Sequence, residues 1–514
     1  MTEREWHEAK DMRPSFVGLG VVLLAAAVLR LWAIGHGIPY APGVDEPEIM
    51  CRVVGMMKTG DFNPHFFDYP GLYLYTQLVV AVLRFLAGAM SGRWVSLSQV
   101  GPADFYLWGR VATAILGTIT VYLVYQIGMR WGARHALLAA GLLAVMPNHV
   151  RESHYVLTDV PATFLCALAF LLSLRAQEKS SIGAFAWAGA AAGLAAATKY
   201  NAAVVLVIPL LAVYTTPGGR VPRVRTALAV VGACGLAYLI GAPYTVLDLP
   251  AFLNGFAYLA SAYLARRPSS ASSAWLVYLK HLRLGLGWPG LILAFAGLGL
   301  GLWRMTRGPW HARFALLVIF PLVYFWMIAT KGLIYARYLL PIVPSVCLLA
   351  AIAVVSGVSL LRRFDIPRAV RTALIAGLTV AALLPPTITA VRFDARIGRK
   401  STYSVAYEWI SGNLPRGTRV AIETGSFRLP DESYPVIQLK RLIDRDLQAY
   451  RADGVQYLVA SSQAYGPAFS TPQVYPDVFN AYHQLFNQLV EVKRVPQFPD
   501  AARGPELRIF KVPQ

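Results

Sequence analysis

The chain is poor in charged residues, since Asp, Glu, Lys and Arg make up 14% of its 514 residues while 56% are hydrophobic. Soluble domains carry about a quarter charged residues, so this composition excludes an ordinary soluble protein and indicates a membrane protein. Acids are especially scarce, 27 against 47 Lys and Arg, which gives a formal net charge of +20. The basic residues lie mainly in short loops between apolar segments, so their excess indicates membrane orientation rather than nucleic-acid binding.

Cysteine is also scarce, with four residues in the whole chain, three of them inside hydrophobic runs. Their scattered positions define neither a disulfide framework nor a zinc-binding spacing. The first apolar run has no small-residue cleavage site and is preceded by acids as well as bases. We therefore interpret it as a retained anchor rather than a signal peptide.

Apolar runs long enough for membrane helices recur through most of the chain, because about 20 apolar residues suffice to cross a bilayer. They predict about eleven spans, at 16–36, 107–129, 136–150, 158–175, 182–198, 201–216, 226–243, 288–306, 314–330, 338–361 and 372–391. A further run, 71–92, carries Arg84 in its middle. We interpret this run as an in-plane or re-entrant helix.

Four basic clusters between the spans predict the orientation. They lie at Arg130–His135, Arg220–Arg225, Arg304–Arg313 and Arg362–Arg371. If all four are cytoplasmic, the N-terminus is inside, and the outer segments are 37–70, 148–158, 244–287, 331–337 and everything after 391. A full crossing by 71–92 would break this pattern at one cluster. The chain is thus predicted to be a multi-pass protein of the inner or plasma membrane.

The composition changes after residue 391, where the chain becomes mixed in polarity. Short apolar strands at 419–422 and 456–459 alternate with helical patterns such as 402–414. Alternating elements of this kind predict a small extracytoplasmic α/β domain, and we find no nucleotide-binding glycine motif in it. The prediction is therefore an α-helical polytopic membrane domain, 1–391, followed by an α/β domain, 392–514.

Polar side chains gather on the predicted outer face. They are Asp45 and Glu46, the group His149, Arg151, Glu152, His154 and Asp159, then Lys331 with Arg337, and Arg110. Acids and bases on one membrane face suggest a site for a phosphorylated substrate with a lipid tail. Arginine and lysine would hold the phosphate, and a carboxylate would take a proton from an attacking hydroxyl. Each residue also has a simpler explanation, as a solvated loop acid, a snorkelling base or a helix cap.

Five short motifs occur in a characteristic order. They are Asp45-Glu46, Asp68-Tyr69-Pro70-Gly71-Leu72-Tyr73, Gly109-Arg110-Val111, Thr158-Asp159-Val160-Pro161 and Arg337-Tyr338-Leu339-Leu340-Pro341. In order and sidedness the chain resembles the family 39 glycosyltransferases, membrane enzymes of the GT-C superfamily related to protein O-mannosyltransferases and lipid A aminoarabinose transferases. The resemblance covers about residues 10–390, and the tail resembles the extracytoplasmic domain of many bacterial members. It implies a GT-C fold, a polyprenyl-phosphate-linked sugar donor and inversion at the sugar carbon.

The resemblance also implies roles for individual residues. Asp45 would be the general base, Glu46 would support it or orient the acceptor, and Asp159 would support the site or contact the sugar. Arg337 is the first candidate for binding the donor phosphate. The other candidates on the donor side are Lys331, Arg110, Lys199 and Tyr69.

A metal is less clearly implied. The lipid A branch has an acid-Lys-Pro-Pro pattern that helps to bind metal and phosphate, whereas this chain reads Asp68-Tyr69-Pro70-Gly71 and lacks the lysine. Asp68, His65 and His281 are candidate metal ligands without a recognised zinc spacing. The sequence therefore establishes no cofactor, and whether a divalent metal is needed is left open.

Two other functions are left open. A transporter or flippase of lipid-linked sugars would be expected to show broken helices or polar pairs near the midplane, often with an internal repeat. A non-catalytic membrane scaffold would leave the ordered motifs unexplained. The expected partners are a polyprenyl-phosphate sugar and a protein, lipid or glycan acceptor at the bilayer, and no nucleic acid. The residues do not specify the sugar or the acceptor.

Overall fold

The structure is a computed structural model that describes residues 16–38, 43, 45–217, 221–265, 274–307, 311–361, 367–423, 429, 433–497 and 504–513. Arg220, Arg362 and Arg363 of the predicted basic clusters lie outside the described residues. The described residues fall into two compact units, one within 16–34 and 45–393, the other within 35–43 and 394–513. The assignment of these parts to a membrane domain and an extracytoplasmic domain stays a prediction.

Helices make up the first unit. In chain order they are α1 (Phe16–Leu31), α2 (Glu46–Thr59), α3 (Leu72–Met90), α4 (Tyr106–Gly128), α5 (Ala133–Ala144), α6 (Pro147–Glu152), α7 (Asp159–Lys179), α8 (Ile182–Thr198), α9 (Val207–Thr215), α10 (Arg223–Gly241), α11 (Tyr244–Leu247), α12 (Leu249–Ala265), α13 (Ala274–Met305), α14 (His311–Ala329), α15 (Val343–Leu361) and α16 (Arg368–Ile397). Short 3-10 helices lie at Leu97–Gln99, Pro102–Asp104, Tyr200–Leu206 and Ala336–Ile342.

Eight helices in the described part of the chain are long and apolar enough to cross a membrane. They are α3, α4, α7, α10, α13, α14, α15 with the 3-10 turn before it, and α16. Four shorter apolar helices accompany them, namely α1, α5, α8 and the segment Tyr200–Thr215. Each predicted run overlaps one of these twelve helices, and the predicted polytopic helical fold is confirmed.

The predicted in-plane run, 71–92, is occupied by α3, an unbroken helix of 19 residues. Its length and hydropathy also meet the requirement for a span. The in-plane path therefore stays a prediction.

The helical boundaries differ from the apolar runs where polar residues lie inside a helix. The range of α13 holds two helices that meet at the non-helical Gly287, so the second of them begins at the predicted start of the span, 288, and Lys280, His281 and Arg283 lie in the first. Gly287 has a φ of 69° and is followed by Pro289, so the helix kinks near the predicted start of the span. The predicted outer segment 244–287 is consequently helical in much of its described part.

The second unit contains a small mixed sheet. Its strands are β1 (Val420–Glu423), β2 (Val436–Leu439), β3 (Tyr457–Ser461), β4 (Val490–Val495) and β5 (Leu507–Lys511). The strand order is β2-β1-β3-β5-β4, with β2, β1 and β3 parallel and β5 and β4 antiparallel to their neighbours. The unit's helices are α17 (Thr402–Asn413), α18 (Leu447–Ala452), α19 (Ser462–Ser470) and α20 (Pro476–Asn487).

Alternating residues of β1 face two separate cores, as the two-residue period of a strand requires. Val420 and Ile422 pack in a cluster with Ile410 of α17. Ala421 packs in the other cluster with Phe486 of α20. The sheet is therefore covered on both faces, which confirms the predicted α/β character.

Candidate active site

Asp45 occupies the N-cap position of α2, with Pro47 in the first helical turn. Its side chain makes no capping hydrogen bond, so the carboxylate is not used by its own helix. Oδ2 of Asp45 instead lies 2.8 Å from Nη2 of Arg337. The two side chains are 28% and 20% exposed, so the ion pair lies at a surface that a substrate could reach.

Arg337 lies in the 3-10 turn that leads into α15. Its Nε is 4.0 Å from Oδ2 of Asp159, and its guanidinium carbon lies 5.0 Å from the centre of the Tyr335 ring. The guanidinium group therefore lies between two carboxylates that are distant in the sequence. The ion pair between Arg337 and Asp45 brings together the residues that we predicted first as phosphate ligand and as general base.

Asp159 is the first residue of α7 and forms a buried ion pair with Lys199, which follows the end of α8. Asp159 is 4% exposed and Lys199 is 8% exposed. The Lys199 ammonium also lies 4.9 Å from the centre of the Tyr338 ring. Asp159 therefore lies between Lys199 and Arg337, and its negative charge interacts with both cations.

Glu46 and Arg110 form a second ion pair that is completely buried. Nε and Nη2 of Arg110 donate to the two carboxylate oxygens of Glu46 at 2.8 and 2.6 Å, in the strong fork-to-carboxylate geometry. The Glu46 carboxylate also accepts from the backbone N–H of Val156 at 2.8 Å, and Arg110 donates to the Ile34 carbonyl at 2.9 Å. The pair therefore ties α2 to α4 and to the segment before α7.

The environment of this buried pair bears on two predicted roles. Because Arg110 is enclosed with Glu46, the geometry does not favour its predicted contact with a donor phosphate. Of the two roles predicted for Glu46, support of the neighbouring Asp45 fits the geometry, whereas contact with an acceptor does not. Gly109 makes the close packing possible, because a Cβ atom there would lie 2.6 Å from the Gln77 side chain and 2.9 Å from that of Val156.

The remaining donor-side candidates lie in different surroundings. Tyr69 is half-buried, interacts electrostatically with Arg337 and packs edge-on against Phe66 at 5.7 Å. Lys331 is exposed and forms no ion pair with any residue that the structure describes. The structure thus associates Tyr69, but not Lys331, with the Asp45–Arg337 pair.

The metal candidates Asp68, His65 and His281 are not gathered into a ligand set. Among the described residues, no group of three or more His, Cys, Asp or Glu is arranged to hold a metal ion. Nε2 of His65 lies 2.9 Å from Oδ2 of Asp61 in an exposed pair. Asp68 is partly buried, and burial raises the pKa of its carboxyl while the charge of Arg52 opposes this.

Glu152 is a member of the site that the sequence grouped with the outer loop but gave no role. It ends α6, is 2% exposed, and its Oε1 lies 3.2 Å from Nε of Arg151. Burial raises the pKa of the Glu152 carboxyl to about 7, while the charges of Arg151, Arg337 and Lys199 oppose this and that of Asp159 adds to it. Its position seven residues before Asp159 was the available signal, but the sequence does not show that α6 turns the side chain inward.

The family described as dolichyl-phosphate-mannose-protein mannosyltransferase matches residues 107–247, a segment that contains Arg110, Asp159 and Lys199. None of the curated protein sequences is significantly similar to the chain.

Two solved structures share the fold over most of their length. ArnT from Cupriavidus metallidurans, bound to undecaprenyl phosphate, has a TM-score of 0.58 and 15% identity, covering 97% of this chain and 99% of ArnT. The oligosaccharyltransferase AglB from Archaeoglobus fulgidus, in complex with an inhibitory peptide and a dolichol-phosphate, has a TM-score of 0.53 and 14% identity. That match covers 87% of this chain and 69% of AglB.

The fold is therefore the GT-C fold of membrane glycosyltransferases, with a small α/β unit at its C-terminal end. The resemblance to the family 39 enzymes that the motifs predicted is confirmed at the level of this superfamily.

Proposed function

We propose that the chain transfers a sugar from a polyprenyl-phosphate-linked donor to a hydroxyl group of an acceptor, at a site formed by Asp45 and Arg337. The observation that carries the proposal is the 2.8 Å contact between the Asp45 carboxylate, which its own helix does not use, and the partly exposed Arg337 guanidinium. A base for the acceptor and a cation for the leaving phosphate are thus adjacent. Sugar transfer from a lipid phosphate needs both.

In the proposed reaction Asp45 accepts the proton of the acceptor hydroxyl as its oxygen attacks the anomeric carbon. A new C–O bond forms to the acceptor while the bond between the anomeric carbon and the phosphate oxygen breaks. The electron pair of that bond leaves with the lipid phosphate, where Arg337 stabilises the added negative charge. Attack opposite to the leaving group inverts the configuration at the sugar carbon.

The donor phosphate and Asp45 would compete for the same guanidinium group. Binding of the phosphate to Arg337 would weaken its hold on Asp45 and leave the carboxylate available as a base. Asp159 would keep Arg337 in place, because it lies close to the Arg337 guanidinium group. Lys199 would in turn hold Asp159 through their buried ion pair. Glu46 and Arg110 would fix the start of α2 and thereby the position of Asp45.

The nature of the donor is supported by the comparisons, because ArnT was solved with undecaprenyl phosphate and AglB with a dolichol-phosphate. We further propose that the site faces the extracytoplasmic side of an inner or plasma membrane, as the basic clusters predict. The acceptor is a protein, a lipid or a glycan, and no metal is required by the proposed steps.

The test begins by comparing the surface glycans and glycoproteins of cells with and without the protein by mass spectrometry, which identifies the sugar. Transfer of that sugar from its polyprenyl phosphate is then measured with purified protein in nanodiscs. We expect Asp45→Asn to reduce the rate by about 10²–10⁴-fold, the usual contribution of a general base. The thermal unfolding temperature should stay unchanged.

The matched control is Asp61→Asn, which removes another carboxylate of the same predicted outer segment, one that is exposed and paired with His65. This variant should transfer sugar at the normal rate. Normal transfer by Asp45→Asn would show that Asp45 is not the base.

A further inference from the structure

Arginine and tryptophan side chains form a cluster in the second half of α3, the segment after it and the first turn of α4. The guanidinium carbon of Arg84 lies 4.6 Å from the centre of the Trp94 ring and 5.7 Å from that of Trp108. The guanidinium carbon of Arg93 lies 4.9 Å from the Trp94 ring. We call Arg84, Arg93, Trp94 and Trp108 the Arg84 cluster.

The Arg84 cluster is separate from the candidate active site. Tyr73, near the start of α3, hydrogen-bonds Thr113 on α4 at 2.6 Å, one turn beyond Arg110. Arg84 lies eleven residues further along α3, which is about 16 Å along the helix axis at 1.5 Å per residue.

Trp94 is built into the protein rather than placed loosely on its surface. Its side chain is 6% exposed, stacks on Phe85 with ring centres 6.1 Å apart, and also packs against Phe105. Gly88 leaves room for it, because a Cβ atom there would lie 2.1 Å from the indole ring. The segment after α3 is thereby fixed over Arg84.

The cluster carries more positive than negative charge. Arg93 has a carboxylate nearby, since its Nη2 lies 3.8 Å from Oδ1 of Asp104. Arg84 forms neither a hydrogen bond nor an ion pair with any described residue, and its Nε is buried without an acceptor. The indole rings hold the cation through their faces, which leaves the N–H groups of Nη1 and Nη2, unlike that of the buried Nε, for an acceptor from outside.

The surroundings of Arg84 are apolar and exposed. Neighbouring side chains with 51–86% exposure are Val79, Leu83, Leu86, Met90 and Val95. Exposed apolar residues on a helix of this hydropathy face lipid, and tryptophan with arginine is typical of the level where lipid headgroups begin. An arginine in such a place is costly unless it is paired. A lipid phosphate is the anion available there.

We propose that the Arg84 cluster binds the phosphate of an anionic phospholipid, with the acyl chains lying against the exposed apolar residues of α3. Arg84 donates its N–H groups to the phosphate in the forked geometry that guanidinium favours, and Arg93 adds a second positive charge. The lipid is a structural partner of the protein and not the sugar donor.

The test uses purified full-length protein with phosphatidylglycerol or with zwitterionic phosphatidylcholine. Retained lipids are counted by native mass spectrometry, and the unfolding temperature is measured in both lipids. Arg84→Gln should weaken retention of phosphatidylglycerol about fivefold, since one arginine near a lipid surface contributes about 1 kcal/mol. The Arg84→Gln variant should also lose most of the increase in unfolding temperature that phosphatidylglycerol gives relative to phosphatidylcholine.

The matched control is Arg304→Gln, because Arg304 stacks on one indole among the described residues, that of Trp303, at 4.7 Å. It should retain phosphatidylglycerol normally. Arg84→Lys keeps the charge without the fork and should give a smaller loss, which provides a test if Arg84→Gln folds poorly. Inorganic phosphate should not raise the unfolding temperature. Normal retention by Arg84→Gln, an equal loss in Arg304→Gln, or the same stabilisation by inorganic phosphate would each overturn the proposal.

Discussion

Two acids that are adjacent in the sequence have opposite surroundings in the protein. Glu46 is fully buried and bound to Arg110, whereas Asp45 is partly exposed and faces Arg337. Removing one partner of a buried ion pair costs about 3–5 kcal/mol of folding stability. We therefore expect Glu46 and Arg110 to act mainly by stabilising the local structure. At the scale of single residues, Glu46 therefore holds the local structure together, whereas Asp45 has the accessibility that the proposed base needs.

Replacing Arg337 by lysine tests whether the fork of the guanidinium group is needed. Lysine keeps the charge but cannot bind Asp45 or a phosphate with two parallel N–H groups. We expect sugar transfer to fall by about 10–100-fold, equivalent to about 1.4–2.8 kcal/mol of lost stabilisation. Initial rates measured over a range of donor concentrations would show the loss.

Arg52→Lys is the control for that experiment, because Arg52 lies on α2 and bonds Glu48 on the same helix instead of a site residue. It should leave the rate unchanged. If Arg337→Lys transfers sugar as fast as the wild type, a point charge suffices at this position and the forked contact is not part of catalysis.

At the scale of elements, α8 packs closely against α10, and this packing supports the end of α8 that precedes Lys199. A Cβ atom on Gly189 would lie 2.3 Å from the Val230 carbonyl oxygen, and one on Gly193 would lie 2.1 Å from that of Cys234. These glycines are four residues apart, the small-xxx-small spacing that lets membrane helices approach closely. Because Lys199 directly follows α8, this packing also helps to position the cation that pairs with Asp159.

We expect Gly193→Ala to destabilise the protein by about 1–3 kcal/mol, the usual cost of overpacking, because the added methyl meets backbone that cannot move aside easily. Gly183→Ala lies on the same helix with nothing within 4 Å and should be neutral. Unfolding temperatures of the two variants in the same nanodiscs give the comparison. Equal stability of the two would show that α8 and α10 are not held as closely as the structure has them.

The apolar runs predicted the elements well because hydropathy alone decides which helices can be buried in a bilayer. The predicted start at 288 coincides with the second helix of α13, whereas the helix before Gly287, which carries Lys280 and Arg283, was not predicted because the hydropathy falls there. Hydropathy indicates whether a helix is surrounded by lipid or by water. It does not determine where the helix ends, because helix ends depend on local backbone hydrogen bonds.

At the scale of the whole molecule, the candidate site is assembled from segments far apart in the chain: the start of α2, the end of α6, the start of α7, the end of α8 and the turn before α15. The motifs predicted Asp45, Asp159 and Arg337 as members. The sequence could not show which cation faces which acid, because that depends on how the helices pack. The sequence therefore did not show that Arg110 pairs with Glu46 or that Glu152 is buried beside Asp159.

We expect Glu152 to make the stability of the whole protein depend on pH. Burial raises the pKa of its carboxyl from 4.5 to about 7, so the folded state favours the protonated form. Its contribution to stability is thus complete below pH 4.5 and is lost as the pH rises to about 7. We expect the unfolding temperature of the wild type to fall relative to Glu152→Gln between pH 5 and 8, because glutamine does not titrate.

Glu48→Gln replaces an acid that is 55% exposed and should follow the wild-type profile. If the profile of Glu152→Gln also parallels that of the wild type, Glu152 does not titrate in this range, and the charges of Arg151, Arg337 and Lys199 outweigh its burial.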